Sequence, residues 1–192
     1  FSKKTGLGHL SRTSRLAKKL IEAGFNCEIY LDKYKKKAIE VNKKIKFFSL
    51  YKNKNFFNEK EDAELFLKKT SLKPGTIIVD DYRLGIKWEK KISKFHKKII
   101  LIDDLNDKEH YADMIINSNP TFNENLNYNY NLSRKKNCDF LLGSKYSLIN
   151  KKFRKKKNNK FQVVFYNGGA GNLDFAKNIL KNFLNINKKK FL

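Results

Sequence analysis

The run Gly6-Leu7-Gly8-His9-Leu10-Ser11-Arg12 carries the residue types and spacing best suited to chemistry in this chain. Two glycines allow a tight turn and a close approach of the backbone to a ligand. The stretch that follows, Thr13-Ser14-Arg15-Leu16-Ala17-Lys18-Lys19-Leu20, has helical patterning, so His9 stands where a helix begins. The positive end of the helix dipole disfavours an imidazolium and keeps His9 a neutral base. Such a loop binds polar or anionic ligands when a strand feeds it. Only five residues precede Gly6, so the reading expects that strand ahead of Phe1.

Other polar residues follow apolar runs: Asp80-Asp81-Tyr82, Asp103-Asp104, and Asn117 with Asn119. In an open α/β sheet, ligands bind beyond the carboxyl ends of the strands, where such residues converge. Singly, Asp80 or Asp103 also reads as the cap of a following helix. Jointly, an imidazole, acids, a phenol and amides suggest a pocket for a polyhydroxylated or amide-bearing substrate. His96, among Lys94, Lys97 and Lys98, reads as solvent-exposed, and His110 as structural, with a supporting role near the site left open. No set of His, Cys and carboxylates has metal-ligand spacing, so no metal is expected. Cys27 and Cys138 lack a CxxC or CxxH neighbour and read as reduced thiols. The turn Gly168-Gly169-Ala170-Gly171 is no P-loop, for no Gly-Lys-Ser/Thr follows. It reads either as a diphosphate-holding turn or as a plain one.

The elements that must position these groups alternate between apolar runs and amphipathic stretches, the pattern of a parallel sheet with helical crossovers. Helices are predicted over residues 12–23, 33–41, 59–69, 88–96, 147–153 and 173–184. Strands are predicted over 27–31, 46–50, 76–79, 98–102, 113–117, 140–143 and 161–166, with a surface loop at 122–131. Gly24 caps the first helix, and Lys73-Pro74-Gly75 separates the 59–69 helix from the strand after it. The fold class is therefore α/β. Residues 1–153 form a Rossmann-like domain, 154–160 a basic connector, and 161–192 the opening strand, glycine turn and helix of a second such domain. The remainder of that domain is expected beyond Leu192.

The 192 residues carry a net charge of +24, which would ordinarily point to nucleic acid. Of the 43 basic residues, however, only five are arginine, the residue that phosphate- and base-reading surfaces favour. Lys, Asn, Ile, Phe and Tyr are all encoded by A/T-rich codons, and a coding bias with a solvated lysine surface accounts for the charge. No apolar run approaches the roughly 18 residues of a membrane span, and no signal-peptide pattern opens the chain. The reading expects a cytoplasmic monomer with no membrane partner and no specific nucleic acid.

Five motifs then occur in a fixed order. They are the GxGHxxR loop followed by Leu16-Ala17, the strand end Val79-Asp80-Asp81-Tyr82, the stretch from Ile102 to Asp113, the run from Leu141 to Ile149, and Gly168-Gly169. From Thr5 to about Asp174, the chain resembles the nucleotide-sugar hydrolase family of pseudaminic acid biosynthesis, which acts on UDP-2,4-diacetamido-2,4,6-trideoxy-β-L-altropyranose. The resemblance implies a GT-B architecture, two Rossmann-like domains facing across a cleft. It implies hydrolysis by water of the bond between the anomeric carbon and the UDP oxygen, with no metal or other cofactor. His9 falls on the family's catalytic histidine. Gly8, Arg12, Asp81, Tyr82 and Asn119 fall where substrate is held, and Gly168 and Gly169 where the nucleotide is. The family turn commonly reads Gly-Gly-x-Asp, whereas here the nearest acid is Asp174. The alternatives are a GT-B glycosyltransferase with a UDP-sugar donor, and a basic nucleic-acid-binding protein.

Overall fold

A computed structural model describes residues 8–32, 45–51, 58–70, 74–120, 129–148 and 173–188. The expected helix at 33–41, the connector, the 161–166 strand and the Gly168-Gly169 turn lie outside the described residues, as does most of the 122–131 loop.

Pro74-Gly75 ends one element and opens the next, β3 (Thr76–Val79), a continuous β-branched run with no helical period. With β4 (Lys98–Ile102), β5 (Met114–Asn117) and β6 (Asp139–Leu142) it forms a four-stranded sheet in the order β3-β4-β5-β6, every pair parallel. Two earlier strands, β1 (Glu28–Leu31) and β2 (Lys46–Ser49), pair in parallel as a separate two-stranded sheet. Parallel pairing requires a crossover for every strand. Two of the crossovers are seen as α2 (Glu59–Thr70), between β2 and β3, and α3 (Ile86–Ile92), between β3 and β4. The α/β class with parallel strands is thus present.

One sheet face is packed. Ile77 and Val79 of β3, Ile99 and Leu101 of β4, Ile115 of β5 and Leu142 of β6 meet Ala63 and Phe66 of α2 and Trp88 and Ile92 of α3 in one core. Leu50 and Tyr51, just past β2, join that same core, so the two sheets share an interior without sharing a ladder. Each fully buried isoleucine stabilises this layer by roughly 1.5–3 kcal/mol.

Local chemistry sets the helix ends. α1 (Gly8–Glu22) stops at Gly24, which adopts φ 92° while the Phe25 N–H reaches back to the Leu20 carbonyl, a Schellman-type ending. Asn58 caps α2 by accepting the Glu61 N–H at 2.9 Å. α3 is capped from outside: Glu59 of α2 accepts the N–H groups of Gly85 and Trp88, each at 3.1 Å. That borrowed cap starts α3 at Ile86 and not at Trp88, and the helix ends at Ile92, short of the predicted His96. α1 also starts a turn early, at Gly8, so His9 belongs to the helix itself. A short helical turn spans Ser144–Tyr146 and residue 147 after it is extended, while most of the helix expected at 147–153 lies outside the described residues. The last helix, α4, runs Leu173–Lys188. Among the described residues no helix is long and apolar enough to cross a membrane.

His96 corrects the sequence reading. It is buried, its ring 5.9 Å from that of Phe66, and the Gly75 N–H points to its Nδ1 at 3.4 Å. Burial lowers its pKa. The neighbouring lysines misled because α3 ends before His96, which breaks the helical phase that would have put it on their face.

Beside the core sits one buried carboxylate, Asp62, accepting the Tyr51 hydroxyl at 2.7 Å and the Trp88 indole N–H at 2.8 Å. Burial raises its pKa. Tyr51→Phe removes one donor and leaves a buried oxygen unsatisfied, which costs about 1–3 kcal/mol. Urea unfolding of the two proteins checks this, and a loss within error of zero would show that the hydroxyl is idle.

Candidate active site

The register of β3 and β4 decides which strand-end residues meet. Val79 pairs with Leu101. Continued past both strands, that offset sets Asp81 against Asp103 and Tyr82 against Asp104. Side chains alternate between faces, so Asp80, Tyr82 and Asp104 share one side, and Asp81 and Asp103 fall on the core side. The structure follows this division: the Tyr82 hydroxyl donates to Asp104 Oδ2 at 2.5 Å.

Onto that first side the opening turn of α1 brings His9 and Arg12, three residues apart and so on one helical face. Arg12 grips Asp80 with two nitrogens, Nε to Oδ2 at 2.7 Å and Nη2 to Oδ1, while its Nη1 donates to Asp104 Oδ2. His9 Nδ1 lies 2.6 Å from Asp80 Oδ1. The His9 ring meets the Tyr82 ring edge to face, centroids 4.6 Å apart. The result is a closed set of five side chains from α1, the end of β3 and the end of β4.

Electrostatics fix the protons. The Asp80 side chain is 2 % exposed, and that burial pushes its pKa up. Hydrogen bonds from Arg12 and His9 and the Arg12 charge outweigh it and hold the carboxyl below its ordinary value. An ionised carboxylate only accepts, so the hydrogen on the 2.6 Å bond belongs to His9 Nδ1. Arg12 Nη2 also approaches Nδ1, at 3.4 Å, but a ring nitrogen that already bears a proton offers no lone pair there. In the neutral form of the ring the lone pair is then on Nε2. Burial works against the Arg12 charge, yet bonds and charges from Asp80 and Asp104 raise its pKa above the arginine norm. Burial, then the bond to Asp104, pushes Tyr82 up to about 12, so it remains a neutral phenol that donates.

Not every expected contact joins this set. Asp81 turns away, accepting the Arg83 N–H and Nε–H, each at 2.9 Å. Arg83 in turn holds Asp32 at the end of β1 through two bonds of 2.8 and 2.9 Å. Asn119 stands past β5, two strands from β3, with its N–H on Asn117 Oδ1 at 2.8 Å. Gly8 opens α1, and a Cβ built on it meets nothing within 4 Å, so no described protein contact demands glycine there. Asp103 caps no helix; its Oδ1 accepts the N–H groups of Leu105 and Asn106, each at 3.0 Å, closing a turn. Asp80 and Asp104, which sequence reasoning named only as members of the two strand-end pairs, are the acids that meet His9 and Arg12. The signal that finds them is the alternation of faces beyond Val79. Among the described residues no group of three or more His, Cys, Asp or Glu could hold a metal ion.

The arrangement can do general-base chemistry: an imidazole oriented at Nδ1 by an ionised carboxylate, with Nε2 as the nitrogen that would take a proton. No protein-family model and no curated protein matches the chain.

Asp80→Asn removes the charge that Arg12 and His9 share and costs about 1–3 kcal/mol at neutral pH. The folded pKa of Asp80 lies below the unfolded value, about 3.9. Its contribution is therefore fully present above that value and is lost as pH falls through the folded one. Urea unfolding of both proteins between neutral pH and pH 2 should show the stability gap closing only at the acid end. A gap independent of pH would refute the charge assignment.

Proposed function

We propose that the protein hydrolyses a UDP-linked diacetamido-trideoxy sugar at its anomeric carbon–oxygen bond, releasing UDP and the free sugar for nonulosonic (pseudaminic) acid assembly. The observation that carries this reading is the Asp80–His9 pair, 2.6 Å apart at the mouth of α1. Its histidine belongs to the segment whose sequence resembles the family's GxGH motif.

In this mechanism water lies between Nε2 of His9 and the anomeric carbon. Its oxygen attacks that carbon while Nε2 takes one of its protons. The bond to the diphosphate oxygen breaks, and its electron pair leaves with UDP. The imidazolium that forms is stabilised by Asp80, as a carboxylate stabilises the histidine of a catalytic triad. Arg12 has a defined part in this. Its two-nitrogen grip keeps Asp80 anionic, so Asp80 orients His9 without competing for the proton. Tyr82, a neutral phenol against the His9 ring, is suited to a sugar hydroxyl or acetamido oxygen. The N–H groups of the first turn of α1 have no partner within the helix and favour an anion beside them. Gly168 and Gly169, in the 161–192 region, would hold the nucleotide. The proposed chemistry uses no metal.

Hydrolysis in ¹⁸O-labelled water tests the bond that breaks: the label should appear in the sugar and not in UDP. A chelator should leave the rate unchanged, and His9→Ala should lower it by about 10²–10⁴-fold. Label in UDP would place the attack at phosphorus, and UDP release that needs an added sugar acceptor would make the protein a transferase. An unimpaired alanine variant would remove His9 from the reaction.

A further inference from the structure

The two acids that Arg12 joins differ in what they leave unused. Asp80 is closed: its side chain is 2 % exposed, Arg12 holds both of its oxygens, and His9 shares one of them. Asp104 is open, with 26 % of its side chain exposed. Its Oδ2 receives two donors, Arg12 Nη1 and the Tyr82 hydroxyl, whereas Oδ1 has no hydrogen-bond partner among the described residues.

That oxygen is an acceptor in a set place. Arg12 comes from α1 and Tyr82 from the turn after β3, so its companion oxygen is held from two elements. The backbone beneath it belongs to the turn that Asp103 Oδ1 closes onto Leu105 and Asn106. His9 is near as well, since its ring meets the Tyr82 ring with centroids 4.6 Å apart. A carboxylate oxygen only accepts. It repels the oxygens of a phosphate, leaves a carbonyl or a methyl group unbound, and pairs well with an N–H or O–H group. The sugar of the proposed substrate bears two acetamido N–H groups and one hydroxyl on its ring. An amide nitrogen, its lone pair delocalised, is a donor only, whereas a hydroxyl oxygen also carries lone pairs that the carboxylate repels. We propose that Asp104 is a substrate-binding residue whose Oδ1 accepts the N–H of one acetamido group. This deepens the hydrolase reading and rests on it. The contact seats the sugar end of the substrate beside His9 and turns the diphosphate away from the acids.

The test uses a UDP-sugar in which a methylene group replaces the anomeric oxygen, so that nothing is hydrolysed while binding is measured by calorimetry. Three ligands are compared: the diacetamido sugar and the two versions in which oxygen replaces one acetamido nitrogen, giving an acetoxy group. One of the acetoxy ligands should bind the wild-type protein about 10- to 100-fold more weakly than the diacetamido ligand, the loss expected for one bond to a charged acceptor. Asp104→Asn keeps the shape, turns its carbonyl oxygen to Arg12 and Tyr82, and presents an NH2 group where Oδ1 stood, so the preference should vanish. Any loosening of the site in that variant acts on all three ligands alike and cancels in the ratio. Equal binding of all three by the wild-type protein would overturn the proposal, and that comparison stands even if the variant does not fold. So would a preference that survives in Asp104→Asn, or binding of none of the three. UDP release from the ordinary substrate is measured separately. An Asp104-dependent preference in a protein that releases no UDP refutes the hydrolysis and leaves the contact standing, and release without the preference does the reverse.

Discussion

Everything at the C-terminal edge of the large sheet depends on the Arg12 guanidinium. Four aspartates crowd that edge in two adjacent pairs, Asp80-Asp81 and Asp103-Asp104. Without cations among them, the most buried of these acids would be left uncompensated, at a large cost in desolvation. Arg12 compensates Asp80 and Asp104 at once, and its planar fork does so with direction as well as charge. A lysine would supply the charge without the geometry. Since Arg12 lies one helical turn from His9, the contact that neutralises the acids also anchors the start of α1, and with it the base.

Adjacent acids on a strand end have opposite duties because alternation sends them to opposite faces. Asp80 goes to Arg12 and His9, and Asp81 to Arg83 and Asp32. Likewise Asp104 meets Tyr82, while Asp103 closes its own turn and faces His110. Two polar systems thus lie back to back across the edge of the sheet, one toward α1 and one toward the core. Proteins rarely bury so many carboxylates in one place without an assigned partner for each. Here the partners come from α1, the turn after β3 and the loop between β4 and β5.

Much of this was legible in the sequence. Thr76–Val79, all β-branched, and Lys98–Ile102, apolar from Ile99 on, announce themselves as buried strands, and both are found at the bounds predicted. Gly24 takes the positive φ that its position after a helix implies. Motif spacing pointed to His9, Arg12 and Tyr82 as neighbours, and they are. The failures have a shared cause, which is information held in tertiary contacts. α3 begins at Ile86 because Glu59, far away in sequence, caps it, and nothing near Ile86 foretells that. His96 is buried because α3 ends before it. Sequence named Asp80-Asp81 and Asp103-Asp104 as pairs, and only strand register tells which member of each pair faces His9 and Arg12.

Arg83 joins the end of β1 to the turn beyond β3, two strands that belong to different sheets. A backbone ladder between sheets would quantise their offset in steps of one residue, since every rung must find its partner. A guanidinium set between two carboxylates imposes no such steps. It ties the two sheets by charge and by the two-pronged geometry of its bonds, in addition to the core they share, and Asp32 and Asp81 have one cation in common.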